Sequence, residues 1–231
     1  MDIIITGAEG LIGKQISLMF EKSGYNVIRC DLVLGHDLTN EEFVKEFFKQ
    51  NKAPYLLNLF GLNNTVDKNS SDTNNLFDIS LDSFNQYLNI NITTLFSVCR
   101  EYSKNNKKGS IVNVSSLYSK ISPDPNLYKK FNGDKTEKHI AYGVSKAGVE
   151  QLTRHLGVHL APNIRVNCVA PGGVEASGID NIFKDKFNKK VPLNRQQKVE
   201  ELFGIFKFLC SEESTYTTCE TLRINGGYGS L

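Results

Sequence analysis

The chain has 231 residues, of which 40% are hydrophobic and 23% charged, so it is long enough for one α/β core and has an ordinary globular composition. Its net charge of +2 is too small for electrostatic capture of nucleic acid or an anionic membrane, and no apolar run approaches the length of a membrane span. Met1-Asp2-Ile3-Ile4-Ile5 opens a strand over residues 2–6 and does not read as a basic, apolar export signal, so the expectation is a cytoplasmic protein. Leu11, Ile12, Ile16, Met19 and Phe20 then recur at helical spacing until Gly24. Further strands are expected at 26–30, 55–58, 110–114, 164–169 and 221–224. A late helical stripe of Leu152, Leu156 and Leu160 is stopped by Pro162. This alternation predicts an α/β fold: a Rossmann-type doubly wound parallel sheet with helices on both faces, in a single domain over residues 1–231. Periodicity leaves the strand order open.

Two stretches break the pattern. Residues 62–75 are rich in Asn, Ser, Asp and Thr, and residues 119–139 carry Pro123, Pro125 and Gly133 among charges. Both are expected to run over the surface as solvated loops, positioned to serve as lids. The five cysteines (Cys30, Cys99, Cys168, Cys210, Cys219) are scattered without a C-x-x-C pair and read as reduced core residues. His155 and His159 share a helical face but have no evident third ligand, so no metal site is expected.

The first strand runs into Thr6-Gly7-Ala8-Glu9-Gly10-Leu11-Ile12-Gly13 and then a helix. Gly7, Gly10 and Gly13 let the backbone turn tightly, and Glu9, Leu11 and Ile12 complete a turn whose following helix aims free N–H groups at a pyrophosphate. A strand–helix turn with no ligand is the bland alternative. Asp31, 18 positions past Gly13 at the end of the second strand, weighs against it. There a carboxylate accepts hydrogen bonds from both ribose hydroxyls and repels a 2′-phosphate, which favours NAD(H) over NADP(H).

Tyr142-Gly143-Val144-Ser145-Lys146 sets a phenol and an ammonium at i and i+4, on one helical face. Lowering a tyrosine by about three units, from near 10 to neutrality, needs roughly 4 kcal/mol of preferential phenolate stabilisation. A neighbouring ammonium and a nicotinamide cation are groups able to supply it.

Taken together, these motifs resemble the short-chain dehydrogenase/reductase family, in its single-domain branch. The resemblance runs through the glycine turn, Asn58-Leu59-Phe60-Gly61, Asn91, Ser115-Ser116, the Y-x-x-x-K pair, Ile164-Arg165-Val166-Asn167 with Pro171-Gly172, and Asn225-Gly226-Gly227. It implies an NAD(H)-dependent oxidoreductase that moves a hydride between nicotinamide and a ketone or secondary alcohol. By the same resemblance Tyr142 is the acid/base and Lys146 lowers its pKa and holds the nicotinamide ribose. Ser116 polarises the substrate oxygen, and Asn91 positions a water leading from Lys146 to solvent. Asp37 and Leu38 contact adenine, Asn58 and Gly61 flank the adenosine and stabilise the sheet, and Pro171, Gly172 and Val174 approach the nicotinamide. The partners it implies are a small-molecule carbonyl or alcohol and further copies of the chain, in a homodimer or homotetramer built through the helices around Asn91 and Tyr142.

There are departures from the family pattern. Leu59 and Phe60 are bulky within the Asn–Gly motif, Ala176 with Ser177 stands where a threonine is usual, Asn225 replaces an aspartate, and Cys219 replaces a glycine. Ser116 and Tyr142 lie 26 positions apart, about twice the family separation, so residues 117–141 form an insertion beside the substrate. Its lysines (Lys120, Lys129, Lys130, Lys135, Lys138) outnumber Asp124, Asp134 and Glu137, and Tyr118, Tyr128 and Phe131 are able to stack on a ring. The functional reading is a pocket for a sugar, sugar-phosphate or nucleotide-sugar in surface-glycan assembly; the plain one is a solvated insertion. Two other classes stay open: a sugar-nucleotide epimerase or dehydratase that retains its NAD, and a nucleotide-binding protein without catalysis.

Overall fold

A computed structural model of the chain describes residues 1–63, 76–128 and 138–230. Six parallel strands form one sheet in the order β2-β1-β3-β4-β5-β6. They are β1 (Asp2–Thr6), β2 (Asn26–Cys30), β3 (Tyr55–Asn58), β4 (Gly109–Val114), β5 (Ile164–Pro171) and β6 (Thr221–Ile224). The doubly wound parallel sheet is as expected, and its order is now known. After β2 the chain crosses β1 to form β3, so the winding reverses between β1 and β3, where ligands of such sheets bind. Helices α1 (Gly13–Lys22) and α7 (Phe203–Leu209) cover one face; α2 (Glu41–Gln50), α4 (Leu95–Asn105) and α5 (Ile140–Leu160) cover the other.

The central strands are apolar on both sides because helices bury both faces. Ile3, Ile5, Leu57, Val112 and Val169 pack with Ile16, Phe20 and Phe206; Ile4, Leu56, Ile111 and Val166 pack with Phe48, Val98 and Tyr102. α3 (Leu81–Leu88) joins α4 through one wide, i→i+5 bonded turn over Asn89–Thr94. Such turns interrupt helices mainly at functional sites, and this one carries Asn91. Pro162 does end α5 at Leu160, while β5 runs two residues beyond the expected 164–169, paired to β6 through Pro171. Cys30, Cys99, Cys168 and Cys210 are buried free thiols, each pushed up to about 12 by burial. No described helix is long and apolar enough to cross a membrane.

The two irregular stretches need correction or restriction. Residues 64–75 and 129–137, including Lys129, Lys130, Phe131, Gly133, Asp134, Lys135 and Glu137, lie outside the described residues. The described part of the 119–139 stretch does not merely coat the surface. Leu127 is buried with Leu117 against Phe187, Val191 and Tyr228, and Tyr118, Ile121 and Tyr128 pack on that cluster. Proline and charge suggested solvation, but α6 (Asn181–Asn188) supplies an apolar partner that the local pattern does not reveal.

At the C-terminal ends of the strands, polar side chains cross the sheet in single file. Thr6 Oγ1 donates to Asn58 Oδ1 (2.8 Å), Asn58 Nδ2 to Asn113 Oδ1 (2.9 Å), and Asn113 Nδ2 to Thr153 Oγ1 on α5 (3.1 Å). All four side chains are buried, so each bond satisfies a group with no access to water. Asn113→Ala should therefore strand its two neighbours and lower stability by roughly 3 kcal/mol. Val158→Ala, on an exposed side of α5, should stay within about 0.5 kcal/mol. Urea unfolding monitored by circular dichroism measures both.

Candidate active site

A cleft of about 1360 Å³ opens along the C-terminal ends of the strands, large enough for a dinucleotide and a substrate together. One wall is the first turn. Gly7 sits at φ +68°, and a Cβ there would fall 2.4 Å from the Phe60 nitrogen; only glycine permits β1 and β3 to approach so closely. A Cβ on Gly13 would fall 1.9 Å from the Gly7 carbonyl, which keeps α1 tight against the turn. Gly10 faces the cleft, and its missing Cβ leaves that space open. The N-terminus of α1 has no side-chain cap, and Leu11, Ile12 and Gly13 line the cleft beside it. An uncapped helix start behind bare glycine backbone suits a pyrophosphate.

Asp31 lines the same cleft at the end of β2. Its Oδ2 accepts from the Glu9 N–H (2.9 Å) and its Oδ1 from the Val33 N–H (3.1 Å), so the carboxylate is locked in place with lone pairs left over. Arg29, two residues before it on β2, is engaged by Glu9 (2.7 Å) and Glu21 (3.0 Å). Asp37, Leu38, Gly61, Pro171, Gly172 and Val174 also line the cleft, as do Ala176 and Ser177. These residues fit an adenine dinucleotide.

Three residues of the expected site have their side chains engaged with protein groups. Glu9 turns its side chain to Arg29, and only its N–H, through Asp31, bears on the cleft. Asn58 belongs to the buried polar file across the sheet. Asn91 is buried and spent on protein groups: Nδ2 donates to the Leu62 carbonyl and Ser145 Oγ, and Oδ1 accepts from the Leu62 N–H. It thus anchors the start of the 62–75 stretch, whose Leu62 and Asn63 line the cleft. Lys138, one of the insertion's lysines, lines the cleft, and sequence reasoning missed His36 and the α6 aromatics Phe183 and Phe187, which line it too. None carries a local motif; only the chain path brings them in.

Ser116, Tyr142 and Lys146 converge on the cleft from two elements. Ser116 caps a short turn over Leu117–Ser119: its Oγ accepts from the Tyr118 N–H (3.2 Å), and its hydroxyl sits close enough to the Tyr142 phenol to lower that group's pKa. Lys146 lies one turn past Tyr142, and its Nζ donates to the Val114 carbonyl (3.0 Å). One further turn along the same face, the buried Glu150 carboxylate pairs with Arg223 of β6 (2.9 Å) and accepts from Ser119. The Ser116 carbonyl, 2.6 Å from the Ser119 hydroxyl, shares that single proton with the carboxylate, and Ser115 Oγ donates to the Lys146 carbonyl (2.8 Å). Turn and helix are thereby stitched together behind the three groups.

The electrostatics differ from the sequence expectation. Burial pushes the Tyr142 phenol above its ordinary value; the Ser116 hydrogen bond pulls it down and Tyr87 adds to the rise. Lys146 is itself brought down to about 8 by burial, and its ammonium is 5.9 Å from the Tyr142 ring centroid. Protein groups alone therefore do not produce the lowering expected from Lys146.

Comparisons with known proteins agree with this geometry. A family model described as enoyl-(acyl carrier protein) reductase matches residues 26–229. The chain is 29% identical over 234 residues to a 3-oxoacyl-[acyl-carrier-protein] reductase of Chlamydia pneumoniae, covering 98% of this chain and 86% of that one. It is 28% identical to glucose 1-dehydrogenase 2 of Bacillus subtilis, covering 97% and 96%. A solved short chain dehydrogenase from Leptospira borgpetersenii with bound NAD+ superposes with a TM-score of 0.84 at 26% identity, covering 98% and 92%. The chain belongs to the short-chain dehydrogenase/reductase family, a nicotinamide-dependent oxidoreductase acting on CH–OH and carbonyl groups.

Proposed function

We propose that the protein is an NAD(H)-dependent dehydrogenase/reductase for a ketone or secondary alcohol of a sugar or nucleotide-sugar derivative, as used in surface-glycan assembly. The observation that carries it is one cleft holding Ser116, Tyr142 and Lys146 at one end and Asp31 at the other. Bound NAD supplies or accepts the hydride. In reduction the Tyr142 phenol gives its proton to the substrate oxygen while the Ser116 hydroxyl holds that oxygen; in oxidation the phenolate takes the alcohol proton. Lys146 holds the nicotinamide ribose and adds positive charge below the phenol. Leu117, Tyr118, Leu127 and Tyr128 of the 117–141 insertion wall the substrate end, with the two tyrosine hydroxyls 2.9 Å apart and able to meet a polyol. The similarity to a glucose dehydrogenase supports the same substrate class.

A 3-oxoacyl thioester is the second reading, favoured by the apolar Leu62, Phe183 and Phe187 in the same wall and by the reductase relatives. Steady-state assays with aldoses, ketoses and nucleotide sugars against acetoacetyl thioesters decide between them. Exposed Leu81, Phe96, Ile140 and Val144 on α3, α4 and α5 support a homodimer or homotetramer through that face.

Two variants test the assignments. Tyr142→Phe should bind NADH unchanged in a fluorescence titration yet lose turnover by at least about 100-fold; normal turnover would remove Tyr142 from the chemistry. Asp31→Ala should weaken NADH binding by roughly 10- to 100-fold, with a much smaller effect on NADPH, because a charge-assisted ribose contact and the repulsion of a 2′-phosphate vanish together. Equal loss for both cofactors would contradict the NAD preference.

A further inference from the structure

Lys138, the last charged residue of the insertion, stands four positions before Tyr142, just as Lys146 stands four after it. Lys138 is fixed there by its neighbour: His139 caps α5, its Nδ1 accepting from the Ala141 N–H (3.2 Å) while its ring stacks on Tyr87 (4.5 Å). The Lys138 ammonium, hydrogen-bonded to Asn63, lies over the Tyr142 ring at 4.3 Å from its centroid, nearer than that of Lys146 at 5.9 Å. Both lysines line the cleft.

We propose that Lys138 is a second ammonium acting through Tyr142, so that the phenolate forms close to two cations and the insertion, not only the Y-x-x-x-K pair, sets the proton transfer. This rests on Tyr142 being the proton carrier. The groups near the ring are Lys138 and Lys146, with centroid distances of 4.3 and 5.9 Å, Ser116 and Tyr118 from the turn after β4, Tyr128 from the insertion, and Tyr87 from α3. None of these described neighbours is a carboxylate. Lys138 is held down to about 8 by burial first and by repulsion from Lys146 second. A negative charge on the ring close to both relieves that repulsion, and the two ammoniums in turn favour the phenolate. Below pH about 8 the Lys138 ammonium is charged and its help is present; above it the help fades.

The test reads the phenol itself. Ultraviolet pH titration of NAD+-saturated protein, minus the same titration of Tyr142→Phe, isolates the Tyr142 midpoint without a substrate. Lys138→Met and Lys138→Gln, each paired with its own Tyr142→Phe control, should raise that midpoint by about one pH unit, and Lys138→Arg should hold it near wild type. In an alcohol that wild type oxidises, the acid limb of kcat should move up by the same amount. A midpoint unmoved in either folded neutral variant, or moved as far by Lys138→Arg, would overturn the proposal. Failure of Tyr142→Phe to abolish turnover would instead overturn the underlying reading.

Discussion

The geometry of the cleft depends on the buried polar file Thr6–Asn58–Asn113–Thr153. Parallel strands give no hairpin turns to hold their C-terminal ends in line, so something else must set how β1, β3, β4 and α5 meet there. Amides do this well in a dry interior, because their donors and acceptors must meet protein partners and a shift of one residue would orphan several at once. The glycine turn leaves from β1 and Ser116 follows β4, while Tyr142 and Lys146 sit about three and about two turns before Thr153 on α5. A single network thus spans the elements that form both ends of the cleft.

A second, shorter network refines the first. Glu150 and Arg223 form an ion pair that is largely out of solvent, at 9% and 31% side-chain exposure. Such a pair adds little net stability, since desolvation offsets its attraction. Its consequence here is positional: the carboxylate receives Ser119, which holds the backbone of Ser116, while Ser115 bonds the backbone of Lys146. Hydroxyl, phenol and ammonium are then presented from a rigid support, as proton and hydride transfer at one carbon requires.

The charge pattern along the cleft is divided. Carboxylates Asp31 and Asp37 line the cleft after β2, while the ammoniums of Lys138 and Lys146 lie 4.3 and 5.9 Å from the Tyr142 ring centroid. Burial brings both lysines down to about 8 and raises the phenol, and repulsion from Lys146 adds to the lowering of Lys138. The insertion contributes to this corner through Lys138 and to the cleft wall through Tyr118 and Tyr128.

Much of the fold was legible along the chain, because period-2 and period-3.6 patterns report burial directly: all six strands and the ends of α1 and α5 lie within two residues of their expected places. The glycine turn and Asp31 were legible too, since a strand, a tight turn and a carboxylate at a set distance are local features. Long-range partnerships were not. Asn91 was expected to position a water and Asn58 to stabilise the sheet beside the adenosine; the particular partners of their amides, Leu62, Ser145, Thr6 and Asn113, were not legible. The polar, proline-bearing insertion read as surface until α6 and Tyr228 gave Leu117 and Leu127 something to pack on. What the sequence by itself determined is the set of elements and the chemical groups available to them, because local conformation follows nearest neighbours. What only the tertiary structure decided is which groups share an environment, and with it their hydrogen bonds and charge states, because burial and Coulomb energy depend on distance in space rather than along the chain.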